Sequence, residues 1–348
     1  MGLEQFSLVH DRGSSHGATR IIRLAYYEHP DYVPLLRRAY ERWYELEQDV
    51  GARLLVECGV LSVGRPDSEL IAGIEDSAAR HRLAIERYDT AGIRAAWPQF
   101  TPADDAVGIL ERTAGYLHVG DCIRAHQEVA KRHGAVLRAG EPVLDWRVEG
   151  GGVKVRTWRG EYSAARLIVT AGAWTKRLFD DLALPLTVMR QVALWFGTAR
   201  PHDFTRQKFP CYFFSSPEGD YYGFPIIDER GAKLARHYGA NEVTGPDDVV
   251  RELNEHDETQ LRDFTRGRVP ALDGHVRHGS VCMYTLTPDR HFLIDRHPAH
   301  PQVTFAGGFS GHGYKFASVV GEILADLSLT GSTTLPIEMF RYGRFAKP

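Results

Sequence analysis

The sequence predicts a mixed fold, α/β with α+β character, in which a Rossmann-like nucleotide domain is interleaved with a domain of antiparallel sheet. Three observations carry this. The apolar run Val303 to Ala306 leads into a glycine-dense turn ending at Gly313, and a helical segment follows from Phe316 to about Leu329. Strand, glycine turn and helix in that order is the grammar of nucleotide-type domains. Leu167-Ile-Val-Thr170 is wholly apolar, the pattern of a strand buried on both faces of a sheet. Between Pro185 and Val281 the pattern changes to successive strands, which predicts an antiparallel sheet.

The elements follow in order. Gly2 to Phe6 is too short for a full strand and carries Glu4 at its end. A polar loop, Asp11-Arg-Gly-Ser-Ser-His-Gly-Ala-Thr-Arg20, precedes the strand-like Ile21-Ile-Arg-Leu-Ala-Tyr26. Asp31 is read as an N-cap, with Leu36, Tyr40, Trp43 and Leu46 on one helical face and Gly51 as the stop. Leu54 to Val63 reads as one strand. A helix over Ser68–Leu83, a strand over Ile85–Tyr88 and a short helix stopped by Pro98 come next. Val107–Glu111 and Tyr116–Val119 are strands. Asp121 is read as the cap of a helix running to His133 and closed by Gly134. Val136, Leu144–Val148 and Val153–Trp158 read as a meander. Thr187–Phe196, Cys211–Phe214, Tyr221–Ile227 and Lys233–Tyr238 are the strands of the second domain, and Pro246 to Arg266 is helical in two pieces.

Composition bounds the function. The 348 residues are 43% apolar, enough for a large core and two domains. A net charge of −3 carries no nucleic-acid or membrane footprint. No apolar run approaches the roughly 18 residues of a membrane helix. No signal peptide is expected after Met1. Cys58, Cys122, Cys211 and Cys282 lie far apart with no Cys-x-x-Cys, which predicts reduced thiols in a cytoplasmic setting. The histidines show no metal-ligand spacing; His297 and His300, flanking Pro298, read as a loop and not a metal site. The glycine turn allows close backbone approach to a ligand and unusual φ at Gly308, Gly311 and Gly313. The helix behind it offers free N–H groups to an electron-rich partner.

Four motifs in sequence order resemble one known family. They are Ser15-His-Gly-Ala-Thr-Arg-Ile-Ile-Arg23, Tyr222-Gly-Phe-Pro225, Val281-Cys-Met-Tyr-Thr285 and Gly308-Phe-Ser-Gly-His-Gly-Tyr-Lys315. The chain resembles the monomeric sarcosine oxidase and N-methyltryptophan oxidase family of flavin-dependent amine oxidases, from about Glu4 to about Phe340. The resemblance implies FAD thioether-linked through Cys282. By composition alone Cys282 reads as a small buried hydrophobe; the surrounding motif reverses that. It also implies a small amino-acid substrate, molecular oxygen as acceptor, and a monomer. An FAD-binding domain of residues 1–54, 115–184 and 286–348 and a substrate domain of 55–114 and 185–285 are expected.

The resemblance distributes roles among residues. Arg23 and Lys315 match a pair for the substrate carboxylate, the task a guanidinium and an ammonium in a dry pocket suit. Lys233 matches a lysine that assists the reaction with oxygen, since a fixed positive charge stabilises negative charge as it develops. Arg20 matches a second cation on the same flavin face. His16, Tyr222, His237 and Tyr284 match pocket-lining residues, with His237 and Tyr222 joining Lys233 and Arg20 in the catalytic set. Glu4 matches the acid that binds the adenosine ribose. Ala171 and Gly172 match backbone beside the dinucleotide, as do Gly308, Gly311, Gly313 and Lys315. The implied reaction oxidises a secondary amino acid such as sarcosine to an imine and hydrogen peroxide. N-methyltryptophan or pipecolate oxidation, electron transfer to another acceptor, and a flavin-free binding remnant are the alternatives.

One departure is large. The Gly-x-Gly-x-x-Gly fingerprint belongs about 20 residues before the acid, and here the acid is Glu4. The expectation is a nucleotide domain truncated at its N-terminus, lacking its first strand, glycine turn and helix and left with two unpaired sheet edges. A start codon placed too far downstream and a truncated gene both explain this; the completeness of the later motifs favours the first.

Overall fold

Side-chain alternation along the central strands separates two chemistries, and the sheet they form keeps them on opposite faces. The computed structural model describes residues 1–239, 242–243 and 245–345. Its largest sheet has nine strands. Across it lie Glu242–Val243, Thr187–Phe196, Ala232–His237, Gly219–Ile226, Cys211–Ser216, Val60–Gly64, Val107–Glu111 and Glu86–Asp89, and Val276–Leu286 pairs with Thr187–Phe196. Residues opposite in register, and residues two apart on a strand, share a face. One face carries Leu61, Leu194, Phe196, Tyr212, Phe214, Tyr221 and Leu234, buried with Leu261 and Phe264 of the helix Glu255–Arg268. The other carries Phe213, Tyr222, Lys233, Ala235, His237, Ser280, Cys282 and Tyr284. The first face is core. The second is the floor of the candidate site.

The nucleotide-like part is built from smaller sheets. Gly2–Leu3 pairs in parallel with Leu137–Arg138, and Leu167–Val169 pairs in parallel with Val303–Gly307, which also pairs with Leu293–Arg296. Val143–Glu149, Gly152–Thr157 and Gly160–Ala164 form the meander. Thr19–Ile22 joins Gly115–His118 and Leu55–Glu57 in a third small sheet. The helix Val33–Val50 buries Leu36, Ala39, Tyr40, Trp43 and Leu46 against Val319, Val320, Ile323 and Leu327 of the helix Ala317–Leu329. Gly51 ends it in the left-handed region at φ 64°, where glycine pays no steric penalty. Among the described residues no helix is long and apolar enough to cross a membrane.

Several local expectations are corrected. Asp31 is not a cap: it lies in a 3-10 turn, Pro30–Tyr32, where the His29 side chain accepts its N–H. The helix read as capped by Asp121 begins two residues earlier, at Val119, and Asp121 sits in its first turn, bonded to Arg124. The single strand over Leu54–Val63 is two strands broken at Cys58-Gly59, where Gly59 takes φ 80°. The segment after Val136 leaves the meander to pair with Gly2–Leu3. The large sheet is not wholly antiparallel, because Cys211–Ser216 runs parallel to Val60–Gly64. Leu167–Val169 is not buried on both faces: Ile168 is 44% exposed, since no described residue covers the side it presents.

Trp43 links the two halves of this packing. Its ring is fully buried, and its Nε1–H donates to the Lys315 carbonyl at 2.9 Å. Trp43→Ala is expected to lower unfolding free energy by about 3–5 kcal/mol through the cavity it leaves. Trp43→Phe, which keeps most of the ring but orphans the carbonyl, should cost about 1–3 kcal/mol. Urea unfolding followed by far-UV circular dichroism gives both values.

Candidate active site

The loop before the strand Thr19–Ile22 turns at Gly17, whose φ of 77° lies in the region glycine favours. That turn aims two carbonyls at one ammonium. Lys233 Nζ, rising from the sheet floor, donates to the carbonyls of Gly17 at 2.7 Å and Thr19 at 2.9 Å. Its flanks are the Trp195 and Phe224 rings, 5.3 and 4.8 Å from Nζ to centroid. Burial pushes its pKa well below the ordinary lysine value, and nearby Arg20 pushes the same way. Arg20 donates to the carbonyls of Thr19 at 2.9 Å and Ser14 at 2.6 Å.

The second pair of cations comes from the next turn and from the glycine loop. Arg23 is buried under the rings of Tyr26, Tyr27 and Phe213 and donates to both Glu28 oxygens, at 3.2 and 3.4 Å. Burial pushes the Glu28 carboxyl up; Arg23, His312 and Lys315 overcome it and hold the group below the usual carboxylate range. Lys315 Nζ donates to the His312 carbonyl at 2.8 Å and to Tyr26 Oη at 3.3 Å. Burial lowers its pKa to about 7. His312 Nε2 lies 2.9 Å from the Arg290 carbonyl, which can only accept, so Nε2 carries the proton. Nδ1 then accepts from Tyr26 Oη at 2.7 Å. Glu111 braces the segment from the sheet side, accepting the Leu24 and Ala25 N–H groups at 2.8 Å each.

Aromatic groups close the space between these cations. His237 Nδ1 and Tyr284 Oη are 3.2 Å apart, and Tyr284 Oη lies 3.5 Å from Tyr222 Oη. Burial pushes the His237 pKa well below 6.5, so the ring is neutral near pH 7. Gly311, at φ 83°, lets the loop lie on Tyr284; a Cβ there would stand 2.4 Å from the ring. The result is a cavity open to solvent on one side. Arg20, Arg23, Tyr222, His237, Tyr284, Gly311 and Lys315 line it with Glu28, Phe213 and His312.

The remaining candidates lie outside that wall. Lys233 sits behind Gly17. His16 Nδ1 is 3.2 Å from Ser280 Oγ, and burial lowers the His16 pKa to about 4. Cys282 is buried two residues along the same strand, close enough to Lys233, Tyr222 and Tyr284 to bear on their titration. Gly308, at φ 57°, faces Thr287 and Leu186, and a Cβ would meet them at 2.6 and 2.8 Å. Gly313 does not take the unusual φ expected of it: its φ is −82°, and its bareness makes room for Phe309 at 2.4 Å. Glu4 accepts the Phe6 N–H at 2.9 Å and lies 3.6 Å from His10 Nε2. Ala171 and Gly172 end the strand Leu167–Val169 and open a 3-10 turn, Gly172–Leu178.

Sequence reasoning assigned nothing to Glu28, Tyr26 or His312. A signal existed for two of them: Glu28 follows Arg23 by five residues, and His312 stands inside the glycine motif. One cluster resembles a metal set. Asp181, His297 and His300 bring ligand atoms within 4.8 Å of one another. Yet the Ala299 N–H donates to His297 Nδ1 at 3.2 Å, so the proton sits on Nε2, 2.9 Å from Asp181 Oδ2. The contact is a polar one between that N–H and the carboxylate, without the geometry of a hydrogen bond.

Electrostatically the site is lopsided. Among the described residues, Arg20, Lys233 and Lys315 have no carboxylate within 4.0 Å, and only Arg23 is paired. Buried His16 Nε2, Arg23 Nε, Gln191 Oε1 and Thr285 Oγ1 have no hydrogen-bond partner. Buried polar atoms are rarely left this way. Donors and positive charge above an aromatic floor fit a planar, electron-accepting ring with carbonyl edges, beside a small anion. An isoalloxazine and a substrate carboxylate have that chemistry. Fold and site thus define a flavin-dependent oxidoreductase.

Comparison with known proteins agrees. Residues 3–327 match the model of the FAD dependent oxidoreductase family. The chain is 42% identical to monomeric sarcosine oxidase of Streptomyces avermitilis, over 99% of this chain and 91% of that one. It is 35% identical to N-methyl-L-tryptophan oxidase of Escherichia coli, over 97% and 90%. Among solved structures, NikD, an amino acid oxidase of nikkomycin biosynthesis, superposes with a TM-score of 0.86 at 24% identity, over 97% of this chain and 90% of that one. Glycine oxidase of Geobacillus kaustophilus superposes at 0.81 and 18%, over 99% and 92%. The chain belongs to the FAD dependent oxidoreductase family.

The pocket makes a pH-dependent prediction. With its pKa lowered to about 7, Lys315 in the free site is protonated below that pH and neutral above it. Propionate, ionised throughout, should bind most tightly below pH 7 and weaken by up to about tenfold per unit above it. Lys315→Met should flatten the profile and weaken binding by roughly tenfold or more at pH 6. Intrinsic-fluorescence titration from pH 5.5 to 9 reads both.

Proposed function

We propose that this chain is an FAD-dependent oxidase of secondary, N-methyl amino acids of the sarcosine type, with oxygen as acceptor and hydrogen peroxide as product. The observation that carries this is Lys315: a buried ammonium without a carboxylate partner among the described residues, in a cavity walled by Tyr222, Tyr284 and His237. The identity to sarcosine oxidase supports the substrate class. N-methyltryptophan and pipecolate are the other substrates a peroxide-coupled panel should include.

FAD, when bound, would supply the two-electron acceptor for amine oxidation and the group that oxygen reoxidises. The chain's own residues bind and prepare the reactants. Lys315 and Arg23 take the substrate carboxylate, which competes with Glu28 for Arg23. Tyr222, Tyr284 and neutral His237 hold the amine out of water, which disfavours its ammonium form and leaves a lone pair on nitrogen. Lys233, steadied by the Gly17 and Thr19 carbonyls, sets positive charge where negative charge develops on oxygen. Arg20 reinforces it from the same side. His16 and the loop glycines shape the cofactor's bed, with Glu4, Ala171 and Gly172 toward its adenosine end.

We assign Cys282 as a thioether link to the flavin, supported by its place in the Val281–Thr285 motif and its burial near Lys233. We divide the chain into an FAD-binding part, 1–54, 115–184 and 286–348, and a substrate part, 55–114 and 185–285; the strand membership of the nine-stranded sheet supports that division. A monomer in the cytoplasm fits the relatives' names and the four free thiols.

Two measurements test the reading. Acid precipitation should leave yellow flavin in the pellet for the wild-type chain and release it to the supernatant for Cys282→Ser. Flavin in the wild-type supernatant ends the covalent assignment. In stopped flow, Lys233→Met should slow reoxidation by about 100-fold or more while anaerobic reduction by substrate changes far less. Equal losses in both halves would remove Lys233 from the oxygen step.

A further inference from the structure

Two cysteines meet away from the flavin site. Cys58 sits in the break between Leu55–Glu57 and Val60–Gly64, and Cys211 opens the neighbouring strand. The parallel register of Val60 with Cys211, and the Cys211 N–H bonded to the Gly59 carbonyl at 3.1 Å, bring the thiols together. Their sulfurs are 3.7 Å apart. The two differ in surroundings. Cys211 is fully buried; Cys58 is partly exposed and lines a second cavity. Arg206 lines that cavity without a carboxylate partner among the described residues, beside Arg112 and Lys208, which face Glu86 and Asp203; the Arg206 charge favours thiolate. The Cys211 thiol and Arg206 lower the Cys58 pKa, while burial pushes Cys211 up. One sulfur is therefore an accessible nucleophile and the other a buried thiol held against it.

We propose that Cys58 and Cys211 form a peroxide-responsive dithiol, in which Cys58 is oxidised first and Cys211 resolves it to a disulfide. The Cys58 thiolate attacks one oxygen of hydrogen peroxide; the O–O bond breaks, and hydroxide leaves and takes a proton as water. Cys211 sulfur then attacks the Cys58 sulfenic acid, the S–O bond breaks, and a second water leaves with the Cys211 proton. Two thiols and one peroxide give one disulfide and two waters; the dithiol loses two electrons and the peroxide gains them. Closure takes the sulfurs from 3.7 Å to about 2.0 Å. The proposed oxidase reaction supplies this oxidant, and only the source of peroxide rests on that reading. Cys211 shares a sheet face with Lys233 across Phe224, so the bridge would form one layer behind the oxygen-side cation.

The test uses the full chain, reduced and desalted, with added hydrogen peroxide and no amine, so that failure leaves the oxidase reading untouched. Intact mass should fall by two hydrogens. Alkylation and non-reducing peptide mapping should yield a Cys58–Cys211 linked peptide that dithiothreitol dissolves. Cys211→Ser should instead accumulate a dimedone adduct at Cys58. Recovery of both cysteines as alkylated thiols, or of Cys58 as sulfinic acid beside reduced Cys211, overturns the proposal. The wild-type map decides the matter even if the variant folds poorly.

Discussion

Positive charge buried without its counterion is the constraint the rest of this structure serves. Arg20, Arg23 and Lys315 line one cavity with Lys233 just behind it, and among the described residues only Glu28 answers them directly. Moving an unpaired charge out of water costs several kcal/mol unless something compensates it. Here most of the compensation is backbone carbonyl: Ser14, Gly17 and Thr19 for one pair, His312 for Lys315. Carbonyls hold a cation in place without cancelling its charge. That is why the loop 14–19 and the glycine loop 308–313 have irregular backbone, and why Glu111 is spent bracing the turn between Arg23 and Tyr26.

The large sheet makes this arrangement affordable in structural terms. Its alternation puts Tyr222, Lys233, His237 and Tyr284 on one face and a continuous apolar set on the other. The apolar face is sealed by the helix Glu255–Arg268, so the sheet is anchored from behind while its front stays chemically active. The helix pair Val33–Val50 and Ala317–Leu329 does the same for Lys315, with Trp43 bonded to the carbonyl of that residue. Rigid elements thus carry both lysines.

Much of this was legible in the sequence where periodicity and glycine chemistry agree. The helix ending at Gly51, the strand–glycine–helix unit around 303–329 and the four central strands all follow from pattern. Capping was not legible at Asp31 and Asp121, because a neighbouring histidine backbone or side chain took the cap position and acidic residues suit a first turn equally well. The burial of Ile168 failed because an apolar run tells how a strand would be covered and not whether a cover exists. Individual site residues became legible only as ordered motifs. Glu28 stayed hidden because a carboxylate five residues from an arginine, next to two tyrosines, looks like surface until the fold buries Arg23 and Tyr26 and half-buries the other two.

Desolvation is the common cause behind the two lysines and the proposed substrate chemistry. Burial lowers Lys315 to about 7 and pushes Lys233 well below its ordinary value. The same walls act on any amine that enters. An ammonium brought between Tyr222, Tyr284 and neutral His237 meets the same penalty as the lysines, plus repulsion from Arg20. On the proposed reading, the carboxylate of the same molecule would meet the opposite field and restore the proton on Lys315. A zwitterionic amino acid therefore enters a pocket that stabilises one of its charges and expels the other. The proton lost from nitrogen frees the lone pair that oxidation at the adjacent carbon requires. On the proposed reading, the lopsided charge that is costly to fold is the device that activates the substrate.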